Sequence, residues 1–287
     1  MYAAKNDKYT LLVLPDDDAP NPREDCDCFG KMVCWHRRYN LGDDHDYDEP
    51  IDFLRDLYSS AVDDGGKRLV SFLKSHKAHG AYLEYNRSTH EWDLFERCWW
   101  RSDSDSPWDC FYSVSESQLN DADEFFDRML EALSITDLKT LIAEREDIAI
   151  LPLFLYDHSM QSISTASFIG RAQHAEWDSG QVGYIYADRK AILDDFGAVN
   201  AETREKAENL LCAEVESYDQ YLRGECYGFQ LYEDGEEIDS CWGFLGGVDD
   251  WREDVKSYLP AEAQPLADEL EYTCESEEVY LRKHTAA

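Results

Sequence analysis

The chain has 287 residues, of which 62 are acidic and 27 basic, for a formal net charge of −35. Its 43% apolar content, with 18 Tyr, 12 Phe and 8 Trp, excludes a disordered acidic tail, because such tails lack aromatic residues. A field this negative repels nucleic acid and anionic membranes and attracts basic proteins and cations. We therefore expect neither direct nucleic-acid binding nor membrane binding.

The apolar runs and the cysteines indicate in which cellular compartment the protein is expected. The sequence contains no run of about 18 apolar residues, so we expect no membrane-spanning helix. The early apolar run Leu11–Leu14 is too short for the core of a signal peptide. Nine cysteines at irregular spacing, with no secretion signal, indicate reduced thiols in a cytoplasmic protein.

The first half of the chain predicts alternating strands and helices. The expected strands are Tyr9–Leu14, Lys31–Tyr39, Ala81–Tyr85 and Trp92–Trp100, the last two as a hairpin. The expected helices begin at Pro50, lie around Leu69–Leu73, and span Ser115–Leu133 and Asp137–Glu146. Residues 103–109 are polar and predict a linker.

The second half begins with an apolar run, Ile148–Tyr156, that is typical of a buried strand. We place a domain boundary before it, giving domains 1–147 and 148–287. Further expected elements are a strand over Gly180–Tyr186, helices over Asp188–Phe196, Ala201–Arg223 and 250–272, and a hairpin of Tyr227–Tyr232 and Ile238–Phe244 that turns at Gly235. The pattern predicts an α+β fold, with mixed or antiparallel sheets, packed amphipathic helices and an acidic surface.

Several stretches carry a family resemblance: LYDHS (Leu155–Ser159), WDSGQVGYIY (Trp177–Tyr186), EVESYDQYLRGECYGFQLYE (Glu214–Glu233) and DSCWGF (Asp239–Phe244). They resemble a family of uncharacterised proteins carried by bacteriophages, plasmids and other mobile elements. MVCWHRRYNLGD (Met32–Asp43) is similar to the upstream part of longer members. The resemblance implies a mobile-element protein acting in a host cell, where small acidic proteins are often antagonists of host defence. Antirestriction and anti-CRISPR proteins are the analogy, although none of their sequence signatures is present.

The acidity is concentrated in the last 87 residues, which carry 23 acids and 7 bases. The candidate partner-binding residues are Glu202, Glu205, Glu208, Glu216 and Asp219 on the long helix, and Glu233, Asp234, Glu236 and Glu237 at the hairpin. Duplex DNA carries about one charge per 1.7 Å of axis, so such a surface suits a DNA mimic that occupies a basic cleft. Tyr218, Tyr221 and Trp251 are candidate aromatic anchors. One alternative is halophilic adaptation, as in an accessory protein of a halophilic virus, since the chain has 35 Asp but 11 Lys. Another is an ordinary acidic surface with no binding role.

Two weaker sites are weighed against ordinary structural roles. Asp157, His158, Asp178 and Asp239 are candidates for one polar pocket, which in a rival hypothesis serves a metal-assisted hydrolase; the structural interpretation is polar turns beside core tryptophans, Trp177 and Trp242. Cys26, Cys28, Cys34 and His36 are weak zinc candidates, because their spacing departs from common knuckles. No nucleotide, dinucleotide or zincin motif occurs, and we expect no cofactor.

Overall fold

The computed structural model describes residues 1–25, 27–61, 66–99, 106–119 and 123–285. Within these ranges twelve helices and twelve strands form an α+β fold, and the strands pair in three antiparallel sheets. The fold class predicted from the sequence is confirmed, and the sheets are antiparallel rather than mixed. No helix in this part of the chain combines the length and apolar character needed to cross a membrane.

The chain divides into two compact units. The terminal unit comprises residues 1–29, 152–182 and 210–287, and the central unit comprises residues 30–151 and 183–209. The chain does pass from one unit to the other near the boundary expected at residue 147. Each unit nevertheless collects residues from both halves of the chain. In the terminal unit the first strands pair with strands beyond residue 225, and in the central unit Lys31–Cys34 pairs with Gly183–Tyr186.

The terminal unit contains a five-stranded sheet in the order β11-β10-β2-β1-β12. Its strands are β1 (Tyr2–Lys5), β2 (Tyr9–Pro15), β10 (Cys226–Glu233), β11 (Glu236–Leu245) and β12 (Glu271–Tyr272). In β2, Leu11, Leu12 and Val13 are fully buried, so both faces of the sheet are covered. Such a continuous apolar strand is what two covered faces require.

Helices cover the two faces of this sheet. On one face, α10 (Val248–Tyr258) and α11 (Pro265–Asp268) bring Trp251 and Leu266 into a core with Phe229. On the other face, Tyr280 and Leu281 of α12 (Glu277–Thr285) pack beside Leu12. The single helix expected over 250–272 is wrong: Pro260 and Pro265 lie within it, and proline cannot continue a helix interior.

The terminal unit also holds the segment that carries the polar candidates. Its elements are α1 (Pro22–Asp25), β8 (Met160–Ser164), α7 (Ala175–Asp178), and the parts of β7 (Ala149–His158) and β9 (Ser179–Ala187) that lie between residues 152 and 182. β7 and β8 form a tight hairpin in which His158 pairs with Met160. Ser159 makes this turn with a φ of 69°, in the left-handed region.

The central unit is built around one apolar core. Its helices are α2 (Pro50–Ser60), α3 (Lys67–Lys74), α4 (Glu116–Leu119), α5 (Asp123–Glu131), α6 (Ile135–Ala143) and α8 (Arg189–Phe196). Its strands are β3 (Lys31–Cys34), which pairs with Gly183–Tyr186 of β9, and the sheet of β4 (Ala81–Asn86), β5 (Glu91–Arg97) and β6 (Trp108–Val114). Phe53, Leu69, Leu83, Leu94 and Leu141 are all buried in its core.

Three expectations for the central unit differ from the structure. The strand expected over Lys31–Tyr39 ends at Cys34, where pairing with β9 stops, and the Trp35 indole instead donates to the Tyr47 carbonyl. The expected helix Ser115–Leu133 is two helices, α4 and α5, with residues 120–122 outside the described residues. Of the linker expected at 103–109, residues 103–105 lie outside the described residues, and β6 begins at Trp108.

The long helix α9 (Ala201–Leu222) matches its prediction closely. Asn200 accepts the Thr203 N–H at its start, and Gly224 follows its end with a φ of 67°. Its apolar stripe is buried at Ala207, Leu211, Val215 and Tyr218. Leu222 at the helix end is only half-buried, and Leu210 is 38% exposed because it lies at the edge of the stripe.

Candidate functional site

The predicted acidic residues of α9 share one side of the helix. At about 100° per residue, Glu202, Glu205, Glu208, Glu216 and Asp219 fall within an arc of roughly 120°. The buried stripe occupies the neighbouring arc. Helix geometry therefore places the five carboxylates on one side of α9, and their role in binding a partner stays a prediction.

Basic side chains within the same helix neutralise part of the face. The Glu202 carboxylate lies 2.7 Å from the Lys206 amine, and this pairing lowers the pKa of Glu202. Arg204 Nε lies 3.0 Å from the Glu208 carboxylate. Both pairs have i,i+4 spacing, which stabilises a helix by a few tenths of a kcal/mol. Their charges are therefore shared within the chain rather than fully available to a partner.

Asp219 has a structural role. Its Oδ1 accepts hydrogen bonds from the Ser162 hydroxyl and the Ile163 backbone N–H, both at 2.7 Å. Its Oδ2 lies 3.5 Å from Arg223. The carboxylate thus fixes the end of α9 to strand β8 inside the terminal unit.

Glu202, Glu205 and Glu216 are the exposed members of the face, and of these Glu202 is paired with Lys206. Glu205 and Glu216 differ in this respect. Among the described residues neither makes an ion pair or a side-chain hydrogen bond. About 16 Å of helix axis separates them, at 1.5 Å per residue. They are the carboxylates on α9 best placed to meet a partner's cations.

The hairpin between β10 and β11 carries the second acidic group. Asp234 and Gly235 form its turn with φ values of 49° and 87°, so both residues are left-handed. The Glu233 carboxylate lies 2.7 Å from Lys8, whose pKa it raises. Asp234, Glu236 and Glu237 are exposed.

The polar candidates are brought together only in part. His158 Nδ1 lies 2.8 Å from Asp178 Oδ2, and the His158 ring lies 6.0 Å from that of His174. Tyr156 lies beside the same histidine, with ring centroids 5.9 Å apart. A carboxylate bonded to one imidazole nitrogen fixes the tautomer and the orientation of the ring. With Nδ1 bound to Asp178, Nε2 is the ring nitrogen that remains for another partner.

Asp157 and Asp239 do not complete this pair. Asp157 precedes His158 on β7, where successive side chains point to opposite faces. Asp239 lies on β11, paired with Leu231, and its carboxylate accepts the Ser240 N–H. Within the described residues, no hydrogen bond or ion pair joins Asp239 to His158 or Asp178.

The weak zinc candidates fall in different places. Cys26 lies outside the described residues. Cys28 belongs to the terminal unit and donates to the Pro22 carbonyl, whereas Cys34 and His36 belong to the central unit. The His36 ring stacks on Tyr39. In the part of the chain that the structure describes, no three His, Cys, Asp or Glu side chains are grouped to hold a metal ion.

Aromatic exposure differs from the sequence interpretation. Trp177 is 88% exposed and Trp242 is 46% exposed, so neither is the core tryptophan that we expected. Conversely, Tyr218 and Trp251 are almost fully buried, so these two candidate anchors are wrong. The sequence offered no signal for Trp177, because a tryptophan before a strand is usually buried.

Comparison with known proteins yields no relative: no family model, curated protein or solved structure matches this chain. The fold defines the chain as an α+β protein.

Proposed function

We propose that this chain is a mobile-element-encoded inhibitor of a host anti-phage defence system. It acts without catalysis, as an acidic DNA mimic or cleft-blocking protein on a nucleic-acid-binding defence complex. The observation that carries the proposal is the alignment of five carboxylates along one side of α9. The net charge of −35 supplies the long-range attraction for a basic cleft.

The spacing along α9 supports mimicry of a phosphate backbone. Glu202, Glu205 and Glu208 follow each other at about 4.5 Å of helix axis. Phosphates along one strand of duplex DNA advance about 3.4 Å per residue. Arginine and lysine side chains are long and flexible enough to reach charges at either spacing. A cleft that binds DNA can therefore pair with the carboxylates of the helix.

The proposed site of action is the cytoplasm of the host cell, where defence nucleases meet invading DNA. The partner is a protein with a basic cleft, and neither nucleic acid nor membrane is bound directly. Affinity that depends on carboxylate–cation pairs falls as salt rises, because the Debye length shrinks from about 10 Å at 0.1 M to 3 Å at 1 M.

A competition assay tests the proposal. Purified defence complexes that cleave DNA are mixed with labelled duplex and increasing amounts of this protein. The proposal predicts that the protein displaces the duplex from at least one complex, and more weakly at 0.5 M than at 0.05 M salt. Displacement from none of the complexes at low salt would remove its main support.

The His158–Asp178 pair favours a second candidate, a metal-assisted hydrolase using Asp157, His158 and Asp178. Its test is hydrolysis of nucleic acid and ester substrates in the presence of Mg²⁺, Mn²⁺ or Zn²⁺. An enzyme would lose activity on His158→Gln, whereas an inhibitor would keep its inhibition on the same substitution. Trp177→Ala serves as a control, because that side chain is 88% exposed and makes no side-chain hydrogen bond or ring contact among the described residues.

A further inference from the structure

Four of the sixteen arginines gather at one place in the central unit, at the end of helix α6. Arg204 Nη1 donates to the carbonyls of Ala143 and Arg145, both at 2.8 Å. Arg68 Nη1 lies 3.4 Å from the Glu144 carbonyl. Cations are favourable at a helix C-terminus, where the last carbonyls lack helical partners. The remaining two arginines of this cluster, Arg145 and Arg189, lie beside Asp147.

A buried ion pair forms the floor of this region. Arg145 Nε and Nη2 bind the two Asp147 oxygens at 2.8 and 2.7 Å, and both side chains are more than nine-tenths buried. Arg145 Nη2 also donates to the Ala61 carbonyl. A bidentate pair of this kind is rigid, and it cancels its own charge.

An open cavity of about 340 Å³ lies above the pair. It is lined by Arg68, Glu144, Arg145, Glu146, Asp147 and Arg189. The Arg189 side chain is 57% exposed, and its contact with Asp147 is 3.6 Å, longer than a hydrogen bond. Its N–H donors are therefore available to a ligand in the cavity. The volume falls in the range of small-molecule sites.

We propose that this cavity binds a small oxyanion, a phosphate or carboxylate group. Arg189 supplies a planar fork of N–H donors that matches two oxygens, and Arg68 supplies a second cation. Glu144 and Glu146 are exposed at the rim and make no ion pair among the described residues. Their negative charges repel an anion and weaken its binding. Removing these two charges should therefore strengthen binding, the opposite of removing Arg189. None of the acidic-face carboxylates of α9 lines the cavity, although Arg204 of the cluster pairs with Glu208 of that face.

The test is isothermal titration of the full chain with inorganic phosphate, adenosine monophosphate and acetate, at fixed ionic strength and pH. Arg189→Gln should weaken phosphate binding about tenfold or more, as loss of one charged bidentate contact requires. Glu144→Gln with Glu146→Gln should strengthen it. Arg87→Gln, an exposed arginine in the β4–β5 turn, should leave it unchanged.

The three ligands separate the sources of the oxyanion. Binding of both phosphate compounds supports a phosphate site that admits esters, whereas binding of acetate alone supports a carboxylate site. Absence of binding by all three overturns the proposal. Binding that survives Arg189→Gln unchanged overturns it as well, and circular dichroism verifies that the variants are folded.

Discussion

The Asp219 carboxylate accepts the Ile163 backbone N–H at 2.7 Å and so ties helix α9 to strand β8. This residue is one of five carboxylates on the acidic face, yet its geometry is that of a structural anchor. Removing it should act on stability, whereas removing its exposed neighbours should act on binding.

Asp219→Ala should lower the free energy of unfolding by about 1–3 kcal/mol, because the Ile163 N–H loses its acceptor inside the fold. Urea denaturation measures the change. Glu216→Ala, six positions before the helix end on the same face, is the matched control and should stay within about 0.5 kcal/mol of the wild type. Equal effects of the two substitutions would contradict the anchoring role.

Acid should weaken the buried pair of Arg145 and Asp147. Burial alone would raise the pKa of Asp147, but the hydrogen bonds and charge of Arg145, with the charge of Arg189, offset burial and hold that pKa below its usual value. A depressed folded pKa contributes stability above the unfolded value of about 3.9, and loses it as the pH falls through the lower folded value.

The measurement is the difference in unfolding free energy between the wild type and Asp147→Asn across pH. This difference should be constant from pH 7 to about 5 and should shrink below about pH 4. Glu144→Gln, whose side chain is exposed nearby, is the control and should show no such step. A difference in unfolding free energy that grows toward low pH would contradict a depressed pKa of Asp147.

Exposed cysteine thiols should react faster with an alkylating reagent than buried ones. Burial, and secondarily the charge of Asp16, raise the pKa of Cys226 to about 11, and the residue is 3% exposed. Cys212 is exposed on α9. Since the thiolate is the nucleophile, iodoacetamide at pH 8 should modify Cys212 quickly and Cys226 only after denaturation. Peptide mass spectrometry over time tests this order.

Salt should stabilise the protein while weakening its binding to a partner. A net charge of −35 repels itself, and screening relieves that repulsion. Raising NaCl from 20 to 200 mM should raise the melting temperature by about 2–4 °C, the shift expected for about 1 kcal/mol in a chain of this size. A protein that unfolds below molar salt would instead favour the halophilic interpretation.

The sequence predicted most of the regular elements because local signals defined them. Pro50 begins α2, Gly224 follows α9, the continuous apolar run Leu11–Leu14 defines β2, and Gly235 marks the turn of the β10–β11 hairpin. It predicted a division by position along the chain, whereas β1 and β2 pair with strands beyond residue 225, which no local pattern reveals. The arginine cavity could not be predicted for the same reason, because Arg68, Arg145 and Arg189 are distant in sequence and meet only in the folded unit.

The most direct test of the acidic face compares two double substitutions in the DNA competition assay. Glu205→Gln with Glu216→Gln removes the two exposed carboxylates of α9 that make no ion pair among the described residues. Asp254→Asn with Glu269→Gln removes two exposed carboxylates elsewhere, for an equal change in net charge. At about 1 kcal/mol per surface pair, the first should weaken binding to the defence complex about tenfold or more, and the second should change it little. Equal weakening by both would show that total charge rather than the α9 face drives binding, and so would contradict the proposed interface.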